Sequence, residues 1–198
     1  MPDFAKMAAR DDEGNLRVVV EAPRGATTKL EWDDELSAFT LARPLILGVH
    51  YPFDWGFVPG TLAPDGDPLD AMVMHDSATY PGVVIACAPL GVIKLSERKK
   101  KAKTPQRNDR LIAVPVDAPR YGELRDARDL PRRTRVELEE FFLTVVRLAE
   151  KEVDILGWDG PAAAQKLIDV TARAKQQGNA QALPRFAKAV SRPRKKPR

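Results

Sequence analysis

The hydrophobic period of this chain changes at Pro131, and that change limits its architecture more than any other feature. From Leu16 to Pro115 the apolar residues come in short runs bounded by prolines and glycines. Leu16 to Glu21 reads as a first strand, which Ala22-Pro23-Arg24-Gly25 breaks. Thr27 to Trp32 alternates, with Leu30 and Trp32 on one face and Lys29 and Glu31 on the other. Phe39 to Leu41 starts a third strand, with Arg43 before Pro44 at its end. Ala71-Met72-Val73-Met74, Val83 to Cys87 and Leu111 to Pro115 read as buried strands. Ala86 to Lys94 is also extended, with a bend expected at Pro89-Leu90-Gly91. Ser96 to Arg110 reads as a charged loop.

From Pro131 the spacing becomes helical: Val136, Leu138, Phe141, Phe142, Val145 and Leu148 recur on one face. Pro131 suits the first helical position, with Asp129 as the cap before it. Lys151 to Leu156 reads as a short strand. Asp159-Gly160-Pro161 then opens a second helix, with Ala164, Leu167, Ile168 and Ala172 inward and Gly178 as its stop. Strands first and helices last indicate an α+β fold, a small closed barrel with two helices packed outside.

The chemistry concentrates in Asp65-Gly66-Asp67-Pro68-Leu69-Asp70. Three carboxylates crowd into six residues of a chain whose net charge is +4. Asp65 and Asp67 share parity, Gly66 permits a sharp turn, and Pro68 disfavours a helix at Asp67. Asp70 begins the strand that follows and points back to the same place. Like charges beside a core need a counter-charge. All-oxygen ligands select Mg²⁺, Mn²⁺ or Ca²⁺. An EF-hand does not fit, because its sixth loop position requires the glycine that Asp70 displaces.

The remaining composition mostly excludes. The length of 198 residues suits one domain, expected over residues 1–183. Cys87 is the only cysteine, so no internal disulfide forms; in its apolar run it is a core residue of a cytoplasmic protein. No apolar run reaches membrane-spanning length, and Met1 to Glu13 shows no secretory signal. His50 and His75 stand apart and read as structural. Residues 184–198 carry seven basic side chains and no acidic one, and read as a disordered, solvated tail. Contact of that tail with nucleic acid is the alternative.

At the aspartate cluster the chain resembles the family I soluble inorganic pyrophosphatases, whose signature of three metal-binding aspartates matches Asp65, Asp67 and Asp70. The likeness runs over about residues 15 to 175. Glu21-Ala22-Pro23 resembles a strand that brings a glutamate to the family's site. Lys29, Glu31 and Arg43 fall on its phosphate-binding Lys, supporting Glu and phosphate-binding Arg, and no gap is needed from Lys29 to Asp70. The resemblance implies an OB-like barrel of five strands, extra strands, and hydrolysis of pyrophosphate with Mg²⁺ (or Mn²⁺), in a homo-oligomer. It also implies roles. Asp67 would accept the proton of the attacking water, and Tyr51 would donate from behind the site. Lys29, Arg43 and Arg110 would hold the phosphates. Asp65, Asp70 and one of Asn108 or Asp109 would hold metal, with Glu97, Glu21 and Glu31 as further ligands.

The chain also departs from that pattern. Glu97 stands for the family's Asp, and Asn108-Asp109-Arg110 for Asp, a small residue and Lys. Trp55 replaces a tyrosine, and Val145-Val146 fall where a Tyr-Lys pair is expected. These departures keep a second reading open, a catalytically impaired homologue that binds a phosphorylated ligand.

Overall fold

The computed structural model describes residues 4–99, 104–147 and 151–178. Among these residues, nine strands and two helices make up the regular structure, with two single 3₁₀ turns. In order these are β1 (Leu16–Ala22), β2 (Thr28–Asp33), β3 (Ala38–Pro44), β4 (Asp54–Val58), β5 (Leu69–Val73), β6 (Val84–Lys99), β7 (Gln106–Arg107), β8 (Arg110–Pro115), α1 (Arg132–Val145), β9 (Lys151–Asp159) and α2 (Pro161–Gln176).

Five strands close into a ring in the order β1-β4-β5-β8-β6, and β6 returns to β1. Closure is what the order of strands led one to expect, and five strands is the number the resemblance implies. Among the described residues only β5–β8 is parallel. The contact of β4 with β1 depends on Gly56, where a Cβ would stand 1.9 Å from the Val19 carbonyl oxygen. The bend expected near Pro89 is present as a register shift between Pro89 and Gly91. β2 and β3 form a separate hairpin that sets Lys29 opposite Arg43.

Alternate residues of the ring divide between two apolar clusters. Ala71 and Val73 pack with Ala164 and Ile168 of α2. Met72 packs with Leu138, Phe141, Phe142 and Val145 of α1. The α1 aromatics in turn meet Tyr51 and Trp55, with Phe141–Tyr51 and Phe142–Trp55 centroids 5.3 and 5.8 Å apart. The first helix thus buttresses two residues at the edge of the acidic cluster.

Several local expectations are corrected. Ser96 is not the start of a loop: β6 runs on to Lys99 because β9 pairs with it, Glu97 against Val153. The charged run conceals a period of two, in which Leu95 and Glu97 are buried and Arg98 is exposed. α1 starts at Arg132 with Pro131 as its cap, while Asp129 lies in a 3₁₀ turn capped by Asp126. Val136 is 43% exposed, off the buried face of α1. On α2 the buried positions are Ala164, Ile168, Thr171 and Ala174, so Thr171 is inside where Ala172 was expected. Gly160 caps that helix with Pro161 behind it, and Gly178 follows its end at φ +63°, as expected. No helix among the described residues is long and apolar enough to cross a membrane. Leu148 and the basic tail 184–198 lie outside the described residues.

Candidate active site

The turn that carries the aspartates is built from the backbone up. Thr61 Oγ1 donates to the Val58 carbonyl at 2.6 Å and accepts the Leu69 amide at 2.8 Å, closing the loop onto the start of β5. Inside it the Ala63 amide donates to the Asp67 carbonyl at 2.7 Å, and Gly66 turns the chain at φ +99°. Asp65 and Asp67 are left exposed on the turn, while Asp70 is half-buried on the strand.

Two adjoining hollows meet at Lys29 and Asp70. The larger, about 320 Å³, also takes in Glu21, Glu31 and Asp67. The smaller, about 70 Å³, takes in Arg43, Tyr51, Glu97, Arg110 and Lys151. The expected residues Glu21, Lys29, Glu31, Arg43, Tyr51, Asp67, Asp70, Glu97 and Arg110 thus gather around one place, although they come from six strands and two loops.

Arg110 is the hub of the buried polar side. It is buried, pairs with Asp70, and donates to Asn108 Oδ1 at 2.7 Å and Glu97 Oε1 at 2.8 Å. Its guanidinium lies 5.5 Å from the Trp55 ring centre. Asn108 donates to Asp65 Oδ2 at 2.9 Å, which ties the turn to the same network. Lys151 donates to Glu97 Oε2 at 3.2 Å. Lys29 and Glu31 share one face of β2, as the alternation required, and there they form an ion pair.

The two candidates at 108 and 109 part company. Asp109 accepts from Arg107 at 2.9 and 2.6 Å and from the Leu95 amide at 3.0 Å. Both residues line a hollow beside α2, together with Ala163 and Leu167, so it is their hydrogen bonds that differ. Asn108 is therefore the one in contact with the aspartate turn.

The charges act on one another. Burial, with Asp70 nearby, pushes the Glu21 carboxyl up to about 8. Burial and the neighbouring Asp65 raise Asp67 above the usual carboxylate range. Burial also raises Asp70, against the opposing pull of Arg110. Glu97 goes the other way: burial disfavours its charge, but Arg110 and Lys151 together outweigh that and hold it low. Burial keeps the Tyr51 phenol protonated well beyond its ordinary range, so it acts as a donor.

Among the described residues no three of these carboxylates converge closely enough to grip one ion. The donor set nevertheless suits a hard divalent cation. It consists of carboxylate and amide oxygens, and its exposed acids raise one another's affinity for positive charge. His75 is structural, as expected: its Nε2 lies 2.9 Å from Oδ2 of the buried Asp54, whereas His50, expected to be structural too, is exposed. Cys87 is buried, which pushes its thiol far up and leaves it inert. Sequence reasoning missed Lys151. Its strand was legible, but the face it presents is fixed only by pairing with β6.

The chain is similar to known proteins over most of its length. The family model described as inorganic pyrophosphatase matches residues 18–176. An inorganic pyrophosphatase of Nostoc sp. is 37% identical over 172 residues, 87% of this chain and 98% of that protein. One from Haloferax volcanii is 40% identical over 155 residues, 78% and 84% of the two chains. The crystal structure of the inorganic pyrophosphatase from Thermus thermophilus superimposes with a TM-score of 0.80 at 30% identity, covering 88% of this chain and 99% of that one.

Proposed function

Since the chain belongs to the inorganic pyrophosphatase family and hydrolyses pyrophosphate to two phosphates, we propose that it does so at the two hollows joined by Lys29 and Asp70. A family of metal-dependent hydrolases implies a divalent cation. We assign Mg²⁺, with Mn²⁺ as a substitute, to Asp65, Asp70 and Asn108. Glu97, Glu31 and Glu21 are further oxygen donors around them. When bound, such cations offset the charge of the substrate and make a water easier to deprotonate.

The chain's own residues do the rest. Asp67 accepts the proton of the attacking water; its raised affinity for protons, caused by burial and Asp65, suits it to that task. Lys29, Arg43 and Arg110 orient the phosphates and stabilise the charge that builds on the leaving one. Tyr51 stays protonated and donates from the rear wall. The observation that carries this reading is the meeting of an acidic lip and a basic recess within one cleft. A cytoplasmic homo-oligomer extends the reading: Cys87 is a free thiol, and Leu41 and Leu47 offer exposed apolar surface.

The test is release of phosphate from pyrophosphate with and without Mg²⁺. Asp67→Asn should lower turnover by about 10²- to 10⁴-fold while leaving the thermal midpoint in place. Near-native turnover would remove Asp67 as the proton acceptor.

A further inference from the structure

Four cations border the smaller hollow, Lys29, Arg43, Arg110 and Lys151, against two carboxylates, Asp70 and Glu97. That lining leaves two positive charges in excess, the complement of a phosphate dianion. Lys151 is the cation for which the reaction outlined above has no use. It lies two residues from Val153 on β9, so both side chains take the same face and both line the hollow. Among the described residues its ammonium bonds to Glu97 Oε2, whose carboxylate already has Arg110 on its other oxygen. Its side chain is 34% exposed, so it has room to swing from Glu97 into the recess.

The wall beside Lys151 offers nothing else to an anion. Val145 and Val146 at the end of α1, with Phe141 and Phe142 before them, are apolar. An apolar wall strengthens the field of a cation set into it. Trp55 lines the same hollow, and its buried indole N–H has no hydrogen-bond partner among the described residues. A buried donor without an acceptor is costly, and an anion's oxygen would satisfy it.

We propose that Lys151 is a phosphate-binding residue of this site: it leaves Glu97 to meet a phosphate in the smaller hollow, beside the Trp55 N–H. The assignment rests on the reading of the site given above. It adds a fourth cation, supplied by a strand and not by α1.

The experiment measures inorganic phosphate binding to the full chain in Mg²⁺ by calorimetry, beside turnover of pyrophosphate. Lys151→Met keeps the aliphatic stem and removes the charge. It should weaken phosphate binding about 10- to 100-fold, the loss expected for a charge-assisted hydrogen bond, and raise KM; Lys151→Arg should restore most of both. Arg98→Met, on the outward face of β6, should change neither. Phosphate should also raise the thermal midpoint of the wild type and of Lys151→Arg more than that of Lys151→Met. A purely structural role would lower the basal midpoint and leave that ligand-induced rise intact, which would overturn the proposal. So would unchanged phosphate binding in an active Lys151→Met. A wild type that bound phosphate but did not release it from pyrophosphate would instead reject the catalytic reading.

Discussion

Asn108 and Asp109 are neighbours with opposite surroundings, and the contrast decides which should matter. Asn108 is 6% exposed, accepts from Arg110 and donates to Asp65. Asp109 is neutralised by Arg107 and spends one oxygen on the backbone of Leu95. Asn108→Ala should therefore weaken activation by Mg²⁺ more than Asp109→Ala, which should act mainly on stability. A metal titration of the two variants with the ranking reversed would return Asp109 to the cation site. The carboxylate was the more natural choice from sequence, since it is the better ligand. What sequence lacked was the packing of the two residues between β7 and β8, where Asn108 meets Asp65 while Asp109 meets Arg107 and the Leu95 amide.

At the scale of the element, β1, β4 and the long β6 matter most. The ring closes only if β4 lies directly on β1, and the position where they touch has no space for a methyl group. Gly56→Ala should cost more than about 3 kcal/mol, in the range reserved for forced backbone movement. Gly25→Ala, at φ +84° with nothing within 4 Å of the added atom, should cost only about 1–2 kcal/mol. Urea unfolding of both separates close approach from backbone strain. The extension of β6 shows the limit of charge patterning. Ser96 to Lys99 looked like solvated loop because it is charged, yet β9 gives its backbone a partner and Glu97 an interior. An edge strand is defined by what pairs with it, and no local window contains that partner.

For the whole molecule, the site is an electrostatic liability held in place by the core beneath it. Glu21 is buried behind the cleft and takes up a proton at about 8, against 4.5 for the free side chain. A carboxyl with a raised folded-state value adds stability that is complete below its unfolded value and is lost as pH rises through the folded one. In the metal-free protein the thermal midpoint should therefore fall between pH 4.5 and about 8, with a slope of up to about 1.4 kcal/mol per pH unit from this group. Glu21→Gln should flatten that slope, and Mg²⁺ should do the same in the wild type. An unchanged slope in the variant would show that Glu21 is ionised throughout. The sequence by itself determined the class of fold, the two helix ends at Pro161 and Gly178, the acidic turn and the shared face of Lys29 and Glu31, because period, caps and parity are local. Only the tertiary structure decided that Asn108 and not Asp109 meets Asp65, that Arg110 joins Asp70 to Glu97, and that Lys151 faces the recess. Each of those depends on which strands lie side by side, and that is settled by closure of the ring, not by any single stretch of chain.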